Sequence, residues 1–146
     1  KIVPQINSLT EGLQVQVLTR SNAKFSFFAP ESYVLLNADG YEYNRKGDSI
    51  LKGFVTSDRT ILLKKLSMNF HITKTNMNIQ NIEETEKSLV LTILQTQEKQ
   101  PNELCFESDK KIKSITFNER EIKIIENPYR LELGAFTGTD TLKISF

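Results

Sequence analysis

Few side chains in this sequence could do chemistry, and their spacing limits what that chemistry is. Proton shuttling to a nucleophile needs an imidazole, and His71 is the only histidine in 146 residues. It stands between Phe70 and Ile72 in an alternating stretch, and no G-x-S-x-G elbow occurs anywhere. A structural or surface histidine on a strand is the expectation. Cys105 is the only cysteine. Glu103 and Glu107 flank it at two-residue spacing on the same strand face, where carboxylates raise a thiol's pKa and blunt its reactivity. One His and one Cys are too few for zinc, and one Cys closes no internal disulfide. No catalytic residue and no metal ligand is assigned. A structural Ca²⁺ held by backbone carbonyls would leave no trace in residue types.

Paired carboxylates could serve a glycosidase, and Glu83, Glu84 and Glu86 are candidates. Spacing along a chain does not set the separation across a sugar, so a solvated acidic loop is expected. Asn37, Asp39, Gly40 and Glu42 have the look of an acidic calcium loop. The first ligand position would fall on Leu35, however, and the closing Glu is missing. A hairpin turn is expected there instead. Sugar binding remains, which uses aromatic faces against the C–H patches of pyranose rings. The chain has no Trp. Tyr41 and Tyr43, with Arg45 next on the same face, form the candidate ligand-binding set. The competing expectation makes both tyrosines cross-strand partners of Val34 or Leu36.

These residues must be positioned by strands. Lys and Arg number 19 against 18 Asp and Glu, for a net charge of +1. Without a basic stripe, no nucleic-acid partner is expected. No apolar run approaches the ~20 residues that span a bilayer, so no membrane span is expected. At 38% apolar residues, a two-layer sandwich with wet outer faces fits. Apolar and polar residues alternate through 12–20, 24–29 and 103–108, the period of half-buried strands, while 49–56 (SILKGFVT) and 60–66 (TILLKKL) read as two strands whose apolar density points to burial near the sheet centre. Tyr33 to Asn37 and Tyr41 to Tyr43, joined by Ala38-Asp39-Gly40, read as the best hairpin in the chain. Residues 75–86 are polar and lack a period, so a long loop or a single helical turn is expected. Residues 88–95 (SLVLTILQ) are apolar at both parities, which marks a central strand. Ten or eleven strands and no internal repeat are read, in one all-β antiparallel sandwich domain over residues 1–146. A chain that opens on Lys1 and stops on Phe146, a strand residue, is read as a module of a longer polypeptide.

The last quarter adds a pattern. Ser114 to Ile124 (SITFNEREIKI) is followed by Pro128-Tyr129-Arg130-Leu131-Glu132-Leu133 and then by Thr141-Leu142-Lys143-Ile144. This order resembles the closing strands of galactose-binding-like jelly-roll domains attached to large bacterial polysaccharide-degrading enzymes. Asn118-Glu119 stands where that family has Asn-Gly, so a loop longer than two residues is expected. The resemblance transfers no catalytic or ligand residue. It implies a jelly roll, placed outside the cell, in the periplasm or on the cell surface. It also implies a non-catalytic accessory role beside a catalytic domain, structural or weakly carbohydrate-binding, with polysaccharide as a further partner. The alternative from another class is a cell-surface or adhesion-type sandwich that binds a protein.

Overall fold

The computed structural model describes residues 5–9, 12–17, 23–29, 32–44, 47–94, 102–126, 129–133 and 138–146. Among these residues there are fifteen strands and no helix. The first seven are β1 (Gln5–Leu9), β2 (Gly12–Val17), β3 (Ala23–Phe28), β4 (Tyr33–Leu36), β5 (Tyr41–Tyr43), β6 (Ile50–Val55) and β7 (Arg59–Lys65). Then come β8 (Phe70–Thr75), β9 (Asn78–Glu84), β10 (Ser88–Leu94), β11 (Asn102–Ser108), β12 (Ser114–Phe117), β13 (Arg120–Glu121), β14 (Tyr129–Leu133) and β15 (Thr139–Ser145).

They build three antiparallel sheets, ordered β1-β2-β7-β4, β13-β12-β15-β10-β9 and β14-β11-β8-β5-β6-β3. The first two meet where the Asn37 N–H, just after β4, donates to the Ile79 carbonyl of β9 at 2.9 Å. Together they face the six-stranded sheet, making the antiparallel sandwich that the alternation implies. Period two explains the burial directly. β10 buries Leu89, Leu91 and Ile93 and leaves Val90, Thr92 and Leu94 half-covered. It lies between β9 and β15, inside its sheet as expected. Between the layers, Phe106 stacks on Phe70 at 5.1 Å and on Tyr129 at 5.0 Å. Burying each such side chain contributes roughly 1.5–3 kcal/mol, and aromatic pairs add about 0.5–1.5 kcal/mol beyond their area.

Three local expectations fail, each for a physical reason. First, β4 and β5 do not form a hairpin. β4 pairs with β7, while β5 pairs with β6 and β8 in the opposite layer. Residues 37–40 are therefore a crossover through the core. Asn37 turns the chain at φ 68°, and the Asp39 N–H bonds to the Phe54 carbonyl at 2.9 Å. Second, the polar stretch after Thr75 is a strand. The register shifts by one residue between Thr92 and Ile93, so that Asn81 and Ile79, not Asn81 and Gln80, face consecutive residues of β10. This bulge buries Ile79 and Ile82 at a spacing of three, which erases the alternation that sequence reading relies on. Third, Asn118-Glu119 is a two-residue turn after all. Phe117 pairs with Arg120 across it, and both central residues have positive φ, 51° and 65°, as a type I′ turn requires.

The strand order also repeats, which sequence reading missed. In the first half the order is β1-β2-β7-β4, with β3 beside β6 in the other layer; in the second it is β9-β10-β15-β12, with β11 beside β14. Val34-Leu35-Leu36-Asn37 then takes the place of Ile115-Thr116-Phe117-Asn118, and both asparagines have positive φ. β5 and β8 pair with each other and join the two halves within one sheet.

Candidate functional site

The crossover at residues 37–40 carries the buried carboxylate of Asp39. Asp39 is 2% exposed. Its carboxylate accepts from the Thr56 N–H at 2.7 Å and the Thr56 hydroxyl at 2.8 Å. It also accepts from Arg59 Nη1 at 2.7 Å and from Asn78 Nδ2 at 3.3 Å. The cluster binds β9 of the second half to the start of β7 and the end of β6 in the first. Removing a charge from water costs several kcal/mol unless it is paired and hydrogen-bonded, and this carboxylate is both. Gly40 makes the passage possible. At φ 150° a Cβ would meet the Phe54 ring and the Thr75 carbonyl oxygen, each at 2.9 Å.

Tyr41 and Tyr43 follow, and both point into the core, 4% and 7% exposed. The Leu35 N–H donates to Tyr41 Oη at 3.4 Å, and Tyr43 Oη donates to the Ala29 carbonyl at 2.9 Å. Burial pushes the Tyr41 phenol far above its ordinary pKa, with the Leu35 bond opposing it only in part. The stacking platform drawn from spacing is thus not at the surface. The faces of both rings are covered by protein, and cross-strand pairing with Val34 or Leu36 is not made either. Arg45, the third member of that set, lies outside the described residues. Glu42, between the tyrosines, faces outward opposite Lys52 and Lys74.

His71 is 2% exposed. The Ser32 N–H donates to Nδ1 at 3.2 Å, which places the ring proton on Nε2, 2.6 Å from Asn69 Oδ1. Ser32 itself has φ 66° and accepts from the Leu66 N–H at 2.7 Å. The imidazole thus clamps the turn before β4 to β8.

Cys105 is half-buried on β11, and its thiol donates to Glu103 Oε1 at 3.2 Å. Burial raises its pKa to about 11, helped by the hydrogen bond to Glu103 and that carboxylate's charge, with Arg130 and Lys74 pulling the other way. Glu103, expected to raise the thiol's pKa, is the carboxylate bonded to it, and Glu107 pairs across to His71 in register.

The acidic run splits up. Glu83 and Glu86 are exposed, while Glu84 accepts from the Ser67 N–H at 2.9 Å, the Ser67 hydroxyl at 2.7 Å and the Met68 N–H at 3.0 Å. Burial alone would raise the Glu84 carboxyl; the bonds from Ser67 and Met68 and the charge of Lys110 overcome it and hold the carboxyl below its usual range. Among the described residues, no group of three or more His, Cys, Asp or Glu side chains gathers as a metal site would. Thr56, Arg59 and Asn78 were not foreseeable partners of Asp39, because they come from three strand ends distant in sequence. Comparison with protein-family models, curated proteins and solved structures finds no match.

Proposed function

We propose that this chain is a non-catalytic β-sandwich accessory module of an exported polysaccharide-degrading enzyme, and that it braces a neighbouring domain. One observation carries the reading: the side chains able to do chemistry are bonded into the fold. Asp39 ties the two halves together, His71 clamps a turn, and Cys105 is held as a thiol at neutral pH. Asp39 and His71 thereby stiffen the fold, which is what a brace needs. The nested pairing supports the jelly-roll part of the reading. β2 with β7 and β3 with β6, like β10 with β15 and β11 with β14, lie in alternate layers, as when one hairpin folds over on itself. Tyr129 to Leu133 of the PYRLEL motif are β14, and TLKI lies in β15, the residues on which the family resemblance rests.

The test is to remove the module from its parent polypeptide. Deletion is expected to lower the neighbouring domain's melting temperature by several degrees and to leave its turnover on a short soluble substrate nearly unchanged. Loss of turnover at full stability would sink the reading. Glycan retention on an affinity gel, if any, is expected to survive Tyr43→Phe, since that ring is covered. The protein-binding surface domain is the second reading, favoured by one observation: Phe28 on the edge strand β3 is 65% exposed.

A further inference from the structure

The six-stranded sheet ends at β3, and the repeat shows what such an edge holds elsewhere in the same molecule. β3 occupies in the first half the place of β11 in the second. Each pairs on one side with an equivalent strand, β6 or β14. β11 is closed on its other side by β8, whereas β3 has no described strand there.

The Ala29 N–H donates to the Ser49 carbonyl at 3.0 Å. Antiparallel ladders alternate bonded and open positions. Residues 23, 25, 27 and 29 therefore turn their backbone groups towards β6. Lys24, Ser26 and Phe28 turn theirs to the open edge. Three donors and three acceptors stand there in a row, beside an aromatic ring that is 65% exposed.

Two other sheet ends carry devices that discourage pairing. β13 is two exposed charged residues. β14 carries an ion pair between Arg130 and Glu132 at 2.8 Å. β3 has six residues, AKFSFF, and one charge among them.

We propose that β3 is a strand-acceptor edge, and that its occupant is an antiparallel strand carried by the neighbouring domain, seated beside β3 as β8 is seated beside β11. Strand addition of this kind takes its affinity from main-chain bonds and its selectivity from alternate side chains. The occupant carries apolar residues at every second position on its inner side, as β8 does with Phe70 and Ile72. Its outer side offers an apolar group to Phe28, whose cross-strand partner is Ile50. The identity of the occupant as a neighbouring unit rests on the module reading above; the acceptor character of the edge does not.

The experiment titrates the isotopically labelled chain with a capped synthetic peptide of residues 69–76, the segment that covers β11. Saturable shifts are expected at the amides of Lys24, Ser26 and Phe28, with slowed hydrogen exchange at the same three. Ser26→Pro deletes an outward N–H and spares the bonds to β6, so it is expected to abolish the shifts. Phe28→Lys is the second variant; it alters an exposed side chain only and is expected to weaken binding about tenfold by guarding the edge. No shifts at millimolar peptide, or binding undiminished by both variants, overturns the proposal. Self-association that either variant abolishes would assign the edge to a second copy and overturn it as well. Deletion of the module with no effect on its neighbour, alongside positive peptide shifts, would reject the brace and keep the acceptor edge.

Discussion

Two short segments, Val34 to Gly40 and Ile115 to Glu121, begin alike and end differently. Each runs down a strand, reaches an asparagine with positive φ, and must then choose a direction. After Asn118 the chain doubles back and pairs Phe117 with Arg120. After Asn37 it leaves the sheet, crosses the core and joins the opposite layer as β5. Local turn chemistry predicts the reverse, because Asp-Gly is the better hairpin pair and Asn-Glu the poorer one. What decides is the company available to the following residues. Asp39 finds Thr56, Arg59 and Asn78 in the interior, and Gly40 fits where a Cβ would strike backbone. Glu119 and Arg120 have no such interior partners and stay exposed.

This contrast can be broken at its strongest point. Asp39→Ala leaves Arg59 and Asn78 without their shared acceptor and should cost about 3–5 kcal/mol, the range for breaking a buried pair. Urea denaturation would measure it; a loss under about 1 kcal/mol would mean that the crossover does not depend on the cluster. Gly40→Ala comes next, at about 1–3 kcal/mol for strained backbone. The sign reverses at the other turn. Glu119→Gly should raise stability by about 0.5–1 kcal/mol, since a non-glycine residue in left-handed backbone costs roughly 1–2 kcal/mol and glycine's entropy returns part of that. Equal signs at residues 40 and 119 would erase the distinction between the two segments.

The smallest effect lies at the seam between the halves. Glu84 is held below its ordinary pKa in the folded state, so its contribution is present above the unfolded carboxylate pKa and fades as pH falls through the folded value. Glu84→Gln should therefore cost a few tenths of a kcal/mol at neutral pH, as exposed charged contacts do. The gap between variant and parent should close under acid conditions. Melting curves from neutral to acid pH would show whether it narrows; a gap that widens on acidification would contradict the assignment.

Alternation carried far, and its failures are specific. β2, β3 and β11 lie where period two placed them, β6 and β7 where apolar density did, and β10 where a run apolar at both parities did, because a strand writes its covered faces into its own residues. β9 was illegible because the bulge opposite Thr92 and Ile93 put Ile79 and Ile82 three apart. The repeat was illegible because pairing order, not residue identity, is what the halves share. The candidate ligand set suffered most. Tyr41 and Tyr43 share a face, as their spacing requires, but parity does not tell which face is the dry one.

From the residues alone came the all-β class, the layered sandwich and the carboxylate beside Cys105, since each depends on neighbours one or two positions away. Tertiary structure alone decided that Asp39 is an interior anchor, that the two tyrosines are core, and that β3 ends its sheet among the described residues. Those outcomes depend on which distant strands arrive alongside, and a period-two pattern is the same whichever neighbour comes.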